Sequence, residues 1–282
     1  MNWSKIDGCC NKFGTASQKD IAESPTTAIK SGGNPQNNFM TEDKTTWFAS
    51  WFDTRFYHIL YRDRDATEAQ VFMDNLTNYL NLPEGGTILD LACGKGRHSR
   101  YLNEIGYDVT GIDLSVNSIA YAKQFENNRL RFEVHDMCRP YPKQFDAVFN
   151  LFTSFGYFDD DADNLNTIKA IKSDLNETGF GVIDFMNTEY VIANLVPEDK
   201  KVVDGISFNQ KRYVKDGYIV KDISFEADGN LYDFTERVKA FTLEDFKALF
   251  EAAGVYLLDV FGDYKLKKFD AKTSERLVMI FK

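Results

Sequence analysis

The stretch Ile88-Leu89-Asp90-Leu91-Ala92-Cys93-Gly94-Lys95-Gly96-Arg97-His98 carries the most chemistry in this 282-residue chain. It reads as a buried strand that ends in an acid, turns through two glycines and opens a helix. A glycine there lets the backbone bend sharply and lets a ligand approach with no Cβ in the way, and the unpaired N–H groups of the helix start can face that ligand. Ser99 stands where the dinucleotide fingerprint G-x-G-x-x-G has its third glycine, and no G-x-x-x-x-G-K-[ST] is present, which excludes a P-loop. Val109-Thr110-Gly111-Ile112-Asp113 places a second acid at the tip of the next strand, where a carboxylate can accept from ribose hydroxyls. Phe132-Glu133-Val134-His135-Asp136-Met137 places Asp136 just past a third strand, suited to accept from an exocyclic amine such as that of adenine.

The surrounding pattern supplies the scaffold. Short apolar strands are expected at Ile88–Leu91, Val109–Ile112, Leu130–Val134, Ala147–Leu151 and Gly181–Phe185, with helices at Arg97–Ile105, Ser115–Phe125 and Asp163–Leu175 between them. This alternation means a parallel sheet covered by helices on both faces, with its functional crevice at the strands' carboxyl ends. Trp47, Phe48, Trp51, Phe52, Arg55 and Phe56 have helical spacing, and a second helix is expected over Ala66–Leu80. Asp204-Gly205, Asp216-Gly217 and Asp228-Gly229 recur twelve residues apart and are hairpin dipeptides. Residues 202–241 therefore read as an antiparallel meander inserted as a cap. Thr242 with Asp245 begins a further helix ending near Gly254, and strands Val255–Phe261 and Leu277–Phe281 follow.

Lys and Arg number 33 against 43 Asp and Glu, a net charge of −10, so bulk attraction to phosphate backbones or anionic lipid is absent and nucleic acid is not an expected partner. No apolar run approaches the roughly 20 residues that span a bilayer. The four cysteines and three histidines show no metal-ligand spacing, so no metal is expected, and Cys93 reads as a packed residue. With no charged-then-apolar leader, a reducing cytoplasm is the expected compartment. Residues 1–44 are rich in Ser, Thr, Asn, Gly and Lys and are expected to be a disordered tail before one domain, 45–282; Met40 is a candidate for the true start.

The succession DLACGKGRHS, DVTGIDLS, VHDM and FDAVFNLFTSFGYF resembles the class I S-adenosylmethionine-dependent methyltransferases, small-molecule members above all, over residues 45–282. The resemblance implies a Rossmann-like seven-stranded sheet with its last strand inserted antiparallel, and S-adenosyl-L-methionine as cofactor. It implies that Asp90, Ala92, Gly94 and Gly96 surround the methionine part, that Asp113 and Leu114 hold the ribose, that Asp136 and Met137 frame the adenine, and that Asn150 and Leu151 line the methionine end. Ala92 stands where the fuller motif often has glycine. A small-molecule acceptor would meet residues of the crevice: Tyr57, His58, Tyr61 and Arg62 from the N-terminal helix, Thr153, Tyr157, Asp184 and Asn187 near the strand ends, and Arg212 from the cap. The sulfonium makes the methyl group electrophilic by itself, so the protein must align and exclude water; no fixed catalytic residue is read. A nicotinamide-dependent oxidoreductase, an RNA methyltransferase and a catalytically silent cofactor-binding partner protein stay open as alternatives.

Overall fold

In the computed structural model, residues 51–62 and 66–282 are described; the expected tail 1–44 and the candidate start Met40 lie outside them. Among the described residues eleven strands form two sheets. The larger has the order β10-β11-β5-β4-β1-β2-β3, built from β1 (Thr87–Leu91), β2 (Asp108–Asp113), β3 (Leu130–Val134), β4 (Phe145–Asn150), β5 (Leu175–Met186), β10 (Leu257–Phe261) and β11 (Arg276–Phe281). Strands β1 to β5 pair in parallel, whereas β11 runs antiparallel to both β5 and β10. The expected sheet is therefore present, last strand included. Its order reverses beside β1, which opens a crevice at the carboxyl ends of β1, β2 and β4.

Both faces of the sheet are apolar because helices cover both, which is why these strands read as continuous apolar runs. Alternate residues divide between two cores. Ile88, Val109, Phe149, Val182 and Val278 pack with Phe72 and Leu76 of α2 (Ala66–Tyr79), Leu102 of α3 (Arg97–Glu104) and Ile119 of α4 (Val116–Ala122). Leu89, Ile112, Val148, Ile183 and Leu277 pack on the other face with Ile168 and Ile171 of α5 (Asp161–Asp174) and Phe246 and Phe250 of α7 (Leu243–Ala253). The capping box of Thr242 and Asp245 starts α7, and Gly254 in a left-handed conformation ends it. A short helix, α6 (Thr188–Ala193), follows β5; the sequence reading has no counterpart for it.

The second sheet is a four-stranded antiparallel meander of β6 (Glu198–Val203), β7 (Ile206–Lys215), β8 (Tyr218–Ala227) and β9 (Asn230–Lys239). Each Asp-Gly pair has positive φ at both residues, as two-residue hairpin turns of the primed type require. The meander starts at 198, four residues before the expected 202. Its inner face holds Phe208, Ile223 and Phe225 against Trp51 and against Phe56 and Leu60 of α1 (Arg55–Leu60). Thr54 caps α1 by accepting from the Tyr57 N–H. The cap sheet thus seats the N-terminal aromatic helix. Among the described residues no helix is long and apolar enough to cross a membrane.

Candidate active site

A cavity of about 390 Å³ lies at the carboxyl ends of β1, β2 and β4, walled on one side by α1. That volume is within the range of small-molecule sites, roughly 300–1,000 Å³. Asp90 closes β1 as a buried carboxylate and accepts from the Ser99 hydroxyl at 2.5 Å. The serine at the place of the missing third glycine is therefore a partner for the acid. Burial pushes the Asp90 carboxyl up to about 7, the nearby Asp113 charge adds to this, and the Ser99 hydrogen bonds oppose it.

The two glycines have different tasks. A Cβ at Gly94, where φ is +56°, would meet nothing within 4 Å among the described residues, which leaves this stretch of backbone open to a ligand. At Gly96, where φ is +76°, a Cβ would lie 2.5 Å from the Phe132 ring, so that glycine serves packing of the helix start on β3. Ala92 holds a positive φ of 56° with a side chain, in a region that ordinarily favours glycine.

Asp113 ties the glycine loop to the next strand. Its Oδ2 accepts from the Gly94 N–H at 2.9 Å and its Oδ1 from the Ser115 N–H at 2.8 Å. A carboxylate has about four lone-pair sites, so both oxygens keep capacity for ligand hydroxyls. Burial raises its pKa while the two backbone N–H groups lower it. Ser115 caps α4 by accepting from Ser118 and is also bonded to Asp53, which ties the aromatic N-terminal segment to the same place.

Of the cofactor residues expected from sequence, the cavity brings together Asp90, Ala92, Gly94, Asp113, Leu114, Met137 and Leu151. Gly96, Asp136 and Asn150 do not line it. The Asp136 carboxylate accepts from the Cys138 N–H at 2.9 Å, and His135 and Met137 on either side face the cavity instead. Asn150 is fully buried; its amide donates to Met137 Sδ at 3.5 Å, and its Oδ1 has no partner among the described residues. Of the expected acceptor residues, Tyr57, His58, Tyr61, Arg62, Thr153 and Tyr157 line the cavity.

Three others are corrected. Asn187 donates to the carbonyls of Ala271 and Ser274 at 2.8 and 2.7 Å and so fastens the loop before β11. Arg212 sits on the inner face of the cap but is held by Asp199 at 3.1 Å and Gln210 at 3.2 Å. Asp184 is fully buried and paired with Arg276.

The sequence reading missed Phe52, His98, Phe152, Ser154 and Phe158, which also line the cavity. Phe152 and Thr153 both adopt positive φ, 59° and 60°, and Phe152 stacks on His98 with ring centroids 4.3 Å apart. Of these, Phe152, Ser154 and Phe158 lie in the run Phe152-Thr153-Ser154-Phe155-Gly156-Tyr157-Phe158 just after β4, a signal that strand-end position alone could have supplied. Cys93 also faces the cavity, but burial and the carboxylates of Asp90 and Asp113 hold its thiol well above the usual range, so it is no thiolate nucleophile.

Residues 88–179 match the family described as "Methyltransferase domain". The chain is 30% identical over 245 residues to the putative methyltransferase YqeM of Bacillus subtilis (strain 168), covering 82% of this chain and 93% of that protein. It is 27% identical over 268 residues to a glycine/sarcosine N-methyltransferase of Halorhodospira halochloris, covering 87% and 92% respectively. In fold it is similar to an S-adenosylmethionine-dependent methyltransferase from Clostridium acetobutylicum, with a TM-score of 0.68, 22% identity, and coverage of 83% and 97%. A sheet of this order, an acid at the tip of β2 clasping a glycine loop, and relatives that share nearly their whole length identify the chain as a member of the class I S-adenosylmethionine-dependent methyltransferases.

Proposed function

We propose that the cavity holds S-adenosyl-L-methionine along the tips of β1, β2 and β4 and a small-molecule acceptor against α1. The observation that carries this reading is the contact of Asp113 with the Gly94 N–H, which joins the ribose acid and the open glycine turn into one cradle. Asp113 and Leu114 would hold the ribose, His135 and Met137 the adenine, and Asp90, Ala92, Gly94 and Leu151 the methionine part. The residues fit the group: Gly94 leaves space, and the orphaned Oδ1 of Asn150 stands beside Met137 of the cavity wall. Bound there, the sulfonium supplies an electrophilic methyl group.

This chain's own residues then orient and enclose. Tyr57, Tyr61, Thr153 and Tyr157 of the cavity wall would meet the acceptor, and Phe52, Phe152 and Phe158 would keep water away from it. The N-methyltransferase activity in the name of the Halorhodospira relative supports a small amine as acceptor, and the net charge of −10 supports a small molecule over nucleic acid. Calorimetric titration with S-adenosylhomocysteine and with NADH, followed by transfer of a tritiated methyl group to small amines, tests the reading. Saturable binding of the former, none of the latter and label in an amine are expected; binding of NADH alone would overturn it.

A further inference from the structure

Thr153 is the second of two consecutive residues with positive φ after β4, a backbone that a β-branched side chain adopts only where its surroundings impose it. Two bonds to the neighbouring strands hold it there. Its N–H donates to the Asp184 carbonyl of β5 at 2.9 Å, and its hydroxyl oxygen accepts from Arg276 Nη2 of β11 at 3.0 Å. Thr153 is 1% exposed and lines the cavity.

Arg276 can only donate. Burial pulls its pKa down, yet Asp184 and Tyr264 beside it raise it overall, so the guanidinium stays charged. The Thr153 oxygen therefore takes a donor, and the hydroxyl must place its own hydrogen elsewhere. Asp184 has no room for it. Its Oδ1 accepts from Arg276 Nε at 2.9 Å and Nη2 at 2.8 Å, and its Oδ2 from the Phe152 N–H at 2.7 Å and the Tyr264 hydroxyl at 3.3 Å. Those four donors occupy the roughly four lone-pair sites of a carboxylate. Among the described residues nothing accepts the Thr153 hydrogen, and Arg276 Nη1 also lacks a partner. The cluster thus has donors in excess, and one of them belongs to the cavity wall.

We propose that the Thr153 hydroxyl, with the Arg276 guanidinium behind it, donates to a carboxylate of the methyl acceptor and selects amines that carry one. A hydroxyl whose oxygen already accepts from a cation is the stronger donor through its hydrogen, and a charged acceptor makes the stronger bond. Among the described residues the cavity wall has two carboxylates, Asp90 and Asp113, both near the tips of β1 and β2 on the cofactor side. The Asp184 charge behind Thr153 is matched by Arg276. An anionic group at Thr153 therefore meets no uncompensated like charge. Lys95 and Arg97, in and just after the glycine turn, line the cavity beside the place proposed for the methionine part, so the cofactor's own carboxylate has cations there. Thr153 is the specificity-determining residue and Arg276 the positioning residue behind it. This rests on the proposed function and adds its acceptor class.

The test uses the full chain, tritiated S-adenosylmethionine and three pairs of amines that differ by a carboxylate: glycine and methylamine, β-alanine and ethylamine, anthranilate and aniline. In the wild type the carboxylate-bearing member of at least one pair should be the better acceptor in kcat/KM, with the label in the amine. Thr153→Val, which keeps the shape and loses the hydroxyl, should cut that preference roughly 10- to 150-fold, chiefly through KM, the worth of one hydrogen bond to a charged group. Thr153→Ser, which keeps a hydroxyl, should retain most of it. A merely structural part for Thr153 would slow both members of a pair alike. Should Thr153→Val fail to fold, Thr153→Ala takes its place, since it lacks the hydroxyl without β-branching at positive φ; should neither fold, the wild-type preference decides alone. No wild-type preference for the carboxylate, no transfer to any of these amines while S-adenosylhomocysteine binds, or a preference that survives loss of the hydroxyl overturns the proposal. A fall in S-adenosylhomocysteine affinity with the preference unchanged would assign the bond to the cofactor's carboxylate and overturn it too. Failure of the wild type to bind S-adenosylhomocysteine would sink the proposed function instead.

Discussion

Arg276, on the strand inserted antiparallel into the sheet, donates from Nε to Asp184 Oδ1 of the neighbouring strand at 2.9 Å, and both side chains are buried. The pair reaches the acceptor side of the cavity. Arg276 Nη2 also donates to the Thr153 hydroxyl at 3.0 Å, and Asp184 accepts from the Phe152 N–H at 2.7 Å. Two consecutive residues with positive φ are thereby held by one ion pair.

Replacing Arg276 by Met should destabilise the fold by about 3–5 kcal/mol, because Asp184 is left buried and uncompensated. Urea unfolding of the two proteins measures this. The double variant Arg276→Met with Asp184→Leu should recover much of the loss in stability but not acceptor turnover, since Phe152 and Thr153 are no longer pinned. Full recovery of both would show that the pair does not position the loop.

Asp113→Ala removes charge-assisted hydrogen bonds worth about 1.5–3 kcal/mol, so S-adenosylhomocysteine should bind roughly 10- to 150-fold more weakly. Since Asp113 also holds the Gly94 N–H, amide exchange in the glycine loop should accelerate in the same variant. A calorimetric change below twofold would contradict the assignment.

The Asp90 carboxyl, pushed up to about 7 by burial, ties stability to pH. Its folded-state pKa lies above the unfolded value near 3.9, so its contribution is fully present below that unfolded value and is lost as pH rises through 7. Between pH 5.5 and 7.5 the loss is about 2 kcal/mol. Asp90→Asn should flatten that part of the stability profile, as denaturant midpoints at the two pH values will show. An unchanged slope would place the titration elsewhere, for instance at Asp174, which burial also raises to about 7.

Ala92→Gly should relieve the left-handed strain at φ 56°. The gain is about 1 kcal/mol, less some backbone entropy, or a rise of roughly 2–4 °C in Tm. Cofactor affinity should hold within about twofold. A lower Tm would mean that the alanine methyl makes contacts worth more than its strain.

The strands around the site were legible because residues buried on both faces leave unbroken apolar runs: β3 has the expected ends, β1 and β11 begin one residue earlier, and β2 is longer by one residue at each end. β6 was not, since Glu-Asp-Lys-Lys-Val-Val is an exposed edge strand whose charges carry no alternation. β5 begins six residues early, at Leu175, across a register shift against β4 that hydrophobicity does not register. Within the site, the tips of β1 and β2 could be read from chain position, whereas the Asp184–Arg276 pair depends on which strand β11 joins, a tertiary fact. Asn187 and Arg212 were expected in the cavity from position alone, and nearer polar partners claimed them. The Lys221–Glu236 pair buried in the cap was readable in principle: a two-residue turn at Asp228-Gly229 sets Ala227 opposite Asn230, and counting back along both strands brings 221 opposite 236.

The sheet order also bears on how the molecule comes into being. β11 is not an outer rail but a plank between β5 and β10, joined to both along its length. While the ribosome is still making residues 276–281, β5 has an open flank and β10 has no neighbour in this sheet, so the central layer closes only after residue 281 has left the exit tunnel. Ribosome-bound chains stopped short of that point should be cleaved by protease within the sheet, and chains tethered beyond it should resist.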